Sequence, residues 1–73
     1  MTTLSLRSPL VGTVVAVKVA VGDVVSPGTE LVVIESMKME IPVESPQDGT
    51  IEYIHVKETD TIEEDQLLIS IQK

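Results

Sequence analysis

The residues best suited to chemistry stand together near the middle of the chain, in the triplet Met37-Lys38-Met39. A lysine amine at the end of a flexible four-carbon stem is a nucleophile that can form an amide with an activated carboxyl group. For an arbitrary triplet, the ordinary interpretation is that both methionines fill a core and the lysine is one more solvated charge. Here the triplet links strand-like segments that end at Ile34 and begin at Ile41, which favours a short hairpin with Met37-Lys38 at its tip.

This hairpin contains no residue that eases a tight turn. Two-residue hairpin turns need positive φ, which Gly and Asn adopt most readily, and the segment from Glu35 to Glu40 includes neither. Met37 and Lys38 are therefore predicted to carry backbone strain. Strain of this kind persists where function requires a particular presentation, which makes Lys38 the leading candidate for a functional residue.

Other polar residues are weaker candidates. His55 is the only histidine and there is no cysteine, so multi-histidine metal sites and Cys-His pairs are excluded, and His55 is predicted to be a partly exposed strand residue. Ser8 and Ser45 recur in the same Ser-Pro context, which predicts strand-end turns and not catalysis. The glycines are spread through predicted turns and form no phosphate-binding loop.

A group of acidic residues near the C-terminus could be mistaken for a calcium loop. It lacks the ligand order and the glycine of an EF-hand, so a solvated turn is expected and no metal site is predicted. Its members are Glu58, Asp60, Glu63, Glu64 and Asp65.

Length and charge restrict the classes of protein to consider. At 73 residues, the chain is expected to form a single domain over residues 1–73. Twelve acidic against five basic side chains give a formal net charge of -7, which disfavours nucleic acid and membrane surfaces as partners. No apolar run approaches the roughly 20 residues of a membrane span, and a small secreted chain would usually need disulfides, so a cytoplasmic location is expected.

The chain contains two copies of one unit. An offset of 37 residues places Ser8-Pro9 over Ser45-Pro46 and Gly12-Thr13 over Gly49-Thr50, so the halves are about 1–37 and 38–73. Neither copy can bury its apolar side alone. The two are therefore predicted to face each other across one core, as a pseudo-twofold sandwich.

Abundant Val, Ile and Thr favour strands, and the predicted class is all-β. Turn-forming residues bound four strand-like stretches, 12–19, 30–35, 49–56 and 67–71. Apolar positions shared by both copies step from 14 to 17, which breaks a period of two and predicts β-bulges near Val15-Ala16 and Glu52-Tyr53. The predicted core is Val14, Ile51, Val17, Ile54, Leu31, Leu68, Ile34 and Ile71.

The two copies differ in their turns. Gly22 and Gly28 supply positive φ in the first copy, whereas Thr59 and Asp65 stand at the equivalent positions of the second. Asp tolerates the left-handed conformation, but Thr does so poorly. The second-copy loop is expected either to be strained or to adopt another turn.

Several of these motifs together match a known pattern: Ser8-Pro9 with Gly12-Thr13-Val14, then Val21-Gly22-Asp23, Gly28 and Glu35-Ser36-Met37-Lys38-Met39-Glu40. They resemble the biotinyl (biotin carboxyl carrier) domain over nearly the whole chain. The resemblance implies a flattened β-sandwich, or barrel-sandwich hybrid, of two four-stranded sheets with a quasi-twofold internal repeat. It also implies that biotin protein ligase attaches biotin covalently to Lys38, with Met37, Met39 and Glu35 as the recognised motif.

The resemblance further implies a carrier without catalytic activity. In that family, biotin is carboxylated by a biotin carboxylase using bicarbonate and ATP, and the swinging arm then delivers the carboxyl group to a carboxyltransferase. This chain departs from the pattern at Ser36, where alanine is commoner, at Leu10-Val11, where Met-Pro is frequent, and at the missing second-copy glycines. It has no segment for the protruding thumb of some bacterial acetyl-CoA carboxylase carriers, and so resembles the thumbless type.

Two alternatives stay open. A lipoyl domain shares the architecture, but its turn usually reads Asp-Lys-Ala where this chain has Met37-Lys38-Met39. An unmodified β-sandwich that serves as a structural or interaction module is the other alternative, because a fold alone does not fix a function. The mass of the intact protein distinguishes all three.

Overall fold

The computed structural model describes residues 3–73, and over this range the chain forms strands and turns without a helix. The strands are β1 (Thr3–Arg7), β2 (Gly12–Val17), β3 (Val24–Val25), β4 (Glu30–Ser36), β5 (Met39–Glu44), β6 (Gly49–Ile54), β7 (Thr61–Ile62) and β8 (Leu67–Gln72). The predicted all-β class is confirmed. Within the described range, accordingly, no helix is long and apolar enough to cross a membrane.

The strands form two four-stranded antiparallel sheets, with orders β1-β8-β6-β3 and β5-β4-β2-β7. The 37-residue offset converts the first order into the second, strand by strand, so each sheet contains strands of both copies. Hydrogen bonds repeat the symmetry: the Gly22 amide donates to the Ile51 carbonyl at 2.8 Å, and the Thr59 amide donates to the Val14 carbonyl at 2.8 Å. The flattened sandwich with a quasi-twofold repeat is confirmed.

Both predicted bulges are present. The register of β2 against β4 shifts between Val14 and Ala16, and that of β6 against β8 shifts between Ile51 and Tyr53. One extra residue in each strand changes which side chains face inward, which explains why the apolar spacing departs from a period of two.

The core between the sheets is aliphatic. Six of the eight predicted core residues are buried, namely Val14, Ile51, Leu31, Leu68, Ile34 and Ile71. The prediction is wrong for Val17 and Ile54, which are only partly buried at the margin of the core cluster. Each is the last residue of its strand, so it has neighbours on fewer sides.

Two strands end earlier than predicted. The predicted stretches 12–19 and 49–56 extend to the last apolar residue, but β2 ends at Val17 and β6 at Ile54. The residue after each donates one further backbone hydrogen bond to the neighbouring strand at 2.8 Å before the chain turns away. Val19 and Val56 therefore contribute to the core from loops.

The turns of the second copy keep the backbone of the first. φ is 96° at Gly22 and 77° at Thr59, and it is 91° at Gly28 and 70° at Asp65. Of the two outcomes expected for this loop, strain is the one found. A left-handed conformation costs an ordinary residue roughly 1–2 kcal/mol, and Thr59 is β-branched.

Candidate functional site

The candidate site is the hairpin of β4 and β5, whose two connecting residues are Met37 and Lys38. Ser36 lies opposite Met39, and φ is 52° at Met37 and 65° at Lys38. Two successive residues with positive φ are the signature of a type I′ turn, whose twist matches that of the strands it joins. The predicted hairpin is confirmed, and both residues have the positive φ that costs a non-glycine residue on the order of 1–3 kcal/mol.

The side chains at the tip are in solvent. Met37 is 92% exposed, Met39 is 63% exposed, and Lys38 is exposed between them. The interpretation of the two methionines as core filler is therefore wrong. Exposed, flexible thioether side chains on either side of an exposed amine form a surface that another protein can recognise.

Gly12 fixes the base of the hairpin. A Cβ at Gly12 would lie 2.5 Å from the Glu35 carbonyl oxygen and 2.6 Å from Ile34 Cγ2, so only glycine lets β2 approach β4 this closely. Gly12 and Gly49 each begin a strand, as the predicted stretches 12–19 and 49–56 have it, and their grouping with the turn glycines is wrong. The repeat distinguishes these strand glycines from the turn glycines. Gly12 and Gly49 are both glycine in the two copies, whereas Gly22 and Gly28 are replaced in the second copy.

Glu35 lies on β4 one residue before the end of the strand. It is exposed, with Glu40 of β5 opposite it on one side and Thr13 of β2 on the other. Like charges directly opposite each other in a sheet are unfavourable by a few tenths of a kcal/mol to about 1 kcal/mol. Glu35 and the triplet around Lys38 therefore lie on one exposed hairpin. The paired carboxylates of Glu35 and Glu40 are on its two strands, close to the turn that carries the amine.

His55 directly follows β6, which is part of the other sheet. The prediction that His55 lies in a strand is therefore wrong by one residue. It is exposed, and its Nε2 lies 2.9 Å from Ser70 Oγ. Its ring centroid is 6.0 Å from that of Tyr53. These contacts are local to the outer surface of that sheet.

The remaining sequence candidates are turn elements. The Oγ atoms of Ser8 and Ser45 each donate to the carbonyl two residues later, at 2.6 and 2.7 Å. The Asp60 carboxylate accepts a hydrogen bond from the Lys57 amide at 3.0 Å, and the other acidic residues of its group are exposed. Within residues 3–73, no three potential metal ligands lie together and no cavity is found. Among the sequence candidates, the Lys38 amine is the one that lies exposed at the tip of a hairpin.

Comparison with known proteins agrees with this geometry. The biotin/lipoyl family model, described as "Biotin-requiring enzyme", matches residues 4–71. The chain is 45% identical over 67 residues to mitochondrial pyruvate carboxylase of Mus musculus, and 43% identical over 67 residues to the mitochondrial propionyl-CoA carboxylase alpha chain of Homo sapiens. Each alignment covers 92% of this chain, but only 6% and 9% of the two relatives, so the chain spans a small part of their length.

Solved structures give the same assignment. The urea carboxylase of Kluyveromyces lactis superposes with a TM-score of 0.91 at 31% identity, over 97% of this chain and 6% of that one. A single-chain, multi-domain long-chain acyl-CoA carboxylase superposes with a TM-score of 0.90 at 28% identity, over 97% of this chain and 7% of that one. The chain therefore belongs to the biotin/lipoyl family, as a carrier domain of the kind found in carboxylases.

Proposed function

We propose that this chain is a biotin carboxyl carrier in which biotin protein ligase joins biotin to Lys38. The observation that carries the proposal is the type I′ hairpin, which holds Lys38 in solvent between two exposed methionines. In the ligase reaction, the Lys38 amine attacks the carboxyl carbon of biotinyl-adenylate. The amide bond forms, AMP leaves, and the amine gives up a proton.

The residues around Lys38 support biotin over lipoate. Met37 and Met39 stand where a lipoyl turn usually has Asp and Ala, so the two ligating enzymes meet different side chains at the same backbone position. Glu35, exposed on the same hairpin, supplies the acidic residue of the recognised motif. We assign these three residues to recognition by the ligase.

The Lys38 side chain with biotin attached forms an arm that carries a carboxyl group from a biotin carboxylase to a carboxyltransferase. These two enzymes and the ligase are the proposed partners. Biotin supplies the chemistry, and the domain supplies a handle without catalysing a step. The relatives named above are carboxylases, which supports this role. We keep the cytoplasm as the proposed location; the mammalian relatives are mitochondrial proteins, so cell fractionation is the test.

Incubation with biotin protein ligase, biotin and MgATP tests the proposal. The intact mass should increase by one biotin, and Lys38→Arg should abolish the increase, because a guanidinium keeps the charge but is a very weak nucleophile. Labelling of the Lys38→Arg variant to the wild-type extent would contradict the assignment. If neither a biotin nor a lipoate ligase labels the folded chain, it is an unmodified interaction module.

A flank exchange tests the choice of cofactor. Replacing Met37 by Asp and Met39 by Ala should slow biotinylation and admit lipoylation, because only the side chains beside the amine change. Lipoylation of the unchanged sequence in preference to biotinylation would assign the chain to lipoate instead.

A further inference from the structure

The duplication provides an internal control for surface positions, because each residue has a counterpart on equivalent backbone in the other copy. Four valines of the first copy are exposed: Val11 by 60%, Val15 by 38%, Val21 by 63% and Val24 by 82%. Their counterparts at the 37-residue offset are Asp48, Glu52, Glu58 and Thr61. The fold itself therefore does not require apolar residues at these positions.

Two of these valines belong to the β1-β8-β6-β3 sheet or to the turn that precedes β3, and the same sheet carries Tyr53. Val24 of β3 pairs with Thr50 of β6, and Tyr53, 61% exposed, follows Thr50 on the same outer face of β6. Diagonal neighbours on adjacent strands are within reach of an aromatic side chain. Val21 belongs to the turn that hydrogen-bonds the backbone of Ile51. Val21, Val24 and Tyr53 are called the valine–tyrosine patch below.

The equivalent surface of the other sheet has a different character. At the counterpart positions of the valine–tyrosine patch stand Glu58, Thr61 and Ala16, so neither the aromatic ring nor the valines are repeated there. A patch of exposed apolar side chains that includes a tyrosine is typical of a protein contact surface. The patch is therefore a one-sided feature that the symmetric fold does not explain.

Charge around the patch indicates the chemistry of the partner. Asp23 lies in the same turn as Val21, and Glu52 directly precedes Tyr53 at the bulge. A second copy of this chain, with a net charge of -7, would bring the same sign of charge against these carboxylates. A partner surface complementary to the valine–tyrosine patch is therefore apolar at its centre and carries Lys and Arg at its rim.

We propose that the valine–tyrosine patch docks this carrier onto a carboxylase protein through such an apolar, basic-rimmed surface. The inference rests on the proposed function. The hairpin with Lys38 belongs to the other sheet, so docking through the patch leaves the arm free to move between active sites. Docking on a rigid sheet face raises the local concentration of the arm at both sites without engaging the lysine itself.

The test uses residues that the chain itself supplies. The test variant combines Val21→Glu with Val24→Thr, and the control variant is Val11→Asp. Each substitution introduces the residue found at the equivalent position of the second copy. Each variant adds one negative charge, so the two are matched in net charge. The probe is pyruvate carboxylase of Staphylococcus aureus, a relative 44% identical over 62 residues, with its own matching region deleted. Each biotinylated chain is supplied as its carrier substrate. KM for the carrier should rise about tenfold for the test variant and stay within about twofold for the control.

A second readout is independent of biotin. Titrating the unmodified ¹⁵N-labelled chain with the same probe should shift or broaden amide signals of residues 21–24 and 50–53. Equal KM values for the two variants, or amide changes confined to residues 36–39, would overturn the docking proposal. Absence of biotin on wild-type Lys38 would instead overturn the proposed function, and the titration would still decide whether the patch docks.

Discussion

At the scale of single residues, the strained backbone positions divide into two kinds. Among residues 3–73, the non-glycine residues with positive φ are Met37, Lys38, Thr59 and Asp65. The first two build the turn that presents the amine. The other two occupy glycine-like turns where the second copy has kept the backbone and changed the side chain. Removing strain should therefore affect function at the first place and only stability at the second.

Thr59→Gly should stabilise the fold. It removes a left-handed β-branched residue, worth roughly 1–2 kcal/mol, against an entropy cost of about 0.5–1 kcal/mol for the added glycine. A net gain of about 0.5–1 kcal/mol corresponds to a rise in Tm of a few degrees, measured by thermal denaturation. The reciprocal Gly22→Thr should lower Tm. A lower Tm for Thr59→Gly would show that the loop suits threonine.

At the scale of the elements, the close approach of β2 to β4 positions the hairpin. Gly12→Ala should destabilise the fold by roughly 1–3 kcal/mol, because its Cβ would meet the Glu35 carbonyl and Ile34 Cγ2. Gly49→Ala is the matched control, since its Cβ would meet Ile71 Cγ2 at 2.5 Å in the other copy. At a temperature where both variants are folded, only Gly12→Ala should slow biotinylation. Equal ligase rates for the two would show that the base of the hairpin does not position Lys38.

The core between the two sheets should be sensitive to truncation. Ile34→Ala and Ile71→Ala each remove a side chain that is fully buried, and each should lower the free energy of unfolding by about 2–5 kcal/mol in urea titrations. Val24→Ala, at 82% exposure, is the control and should change it by less than about 0.5 kcal/mol. A loss of similar size at Val24 would contradict the assigned faces.

The elements also show what the sequence can predict. Both bulges and most of the core could be predicted because the two copies repeat the same apolar steps, as Val14 and Ile51 do. The two-residue strands β3 and β7 could not, because a period of two needs more residues than Val24–Val25 or Thr61–Ile62 offer. Val17 and Ile54 are as apolar as their neighbours, and only their place at the ends of the strands leaves them partly exposed.

The candidate site was predictable for a different reason. Lys38 and its neighbours stand in the one segment that the repeat does not explain, so their turn could be located without knowledge of the sheets. The repeat singles out Gly12 and Gly49, but the close approach that requires a glycine at Gly12 becomes visible only once the neighbouring strand β4 is placed. Exposure of Met39 likewise depends on where β5 begins.

At the scale of the whole molecule, both copies contribute strands to each sheet, and the buried residues form one core cluster. We therefore propose residues 1–73 as one domain that unfolds in a single transition. Urea titrations followed by backbone circular dichroism and by Tyr53 fluorescence should give coincident curves. Separate midpoints would indicate that the halves, about 1–37 and 38–73, unfold independently.

Location of the modified residue is the most direct test of the central claim. The chain is treated with biotin protein ligase, biotin and MgATP, cleaved into peptides, and analysed by tandem mass spectrometry. The account predicts one biotin on Lys38 and none on Lys18, Lys57 or Lys73, because only Lys38 stands at the tip of the type I′ hairpin. Biotin spread over several lysines, or placed on another lysine while Lys38 stays free, would contradict it.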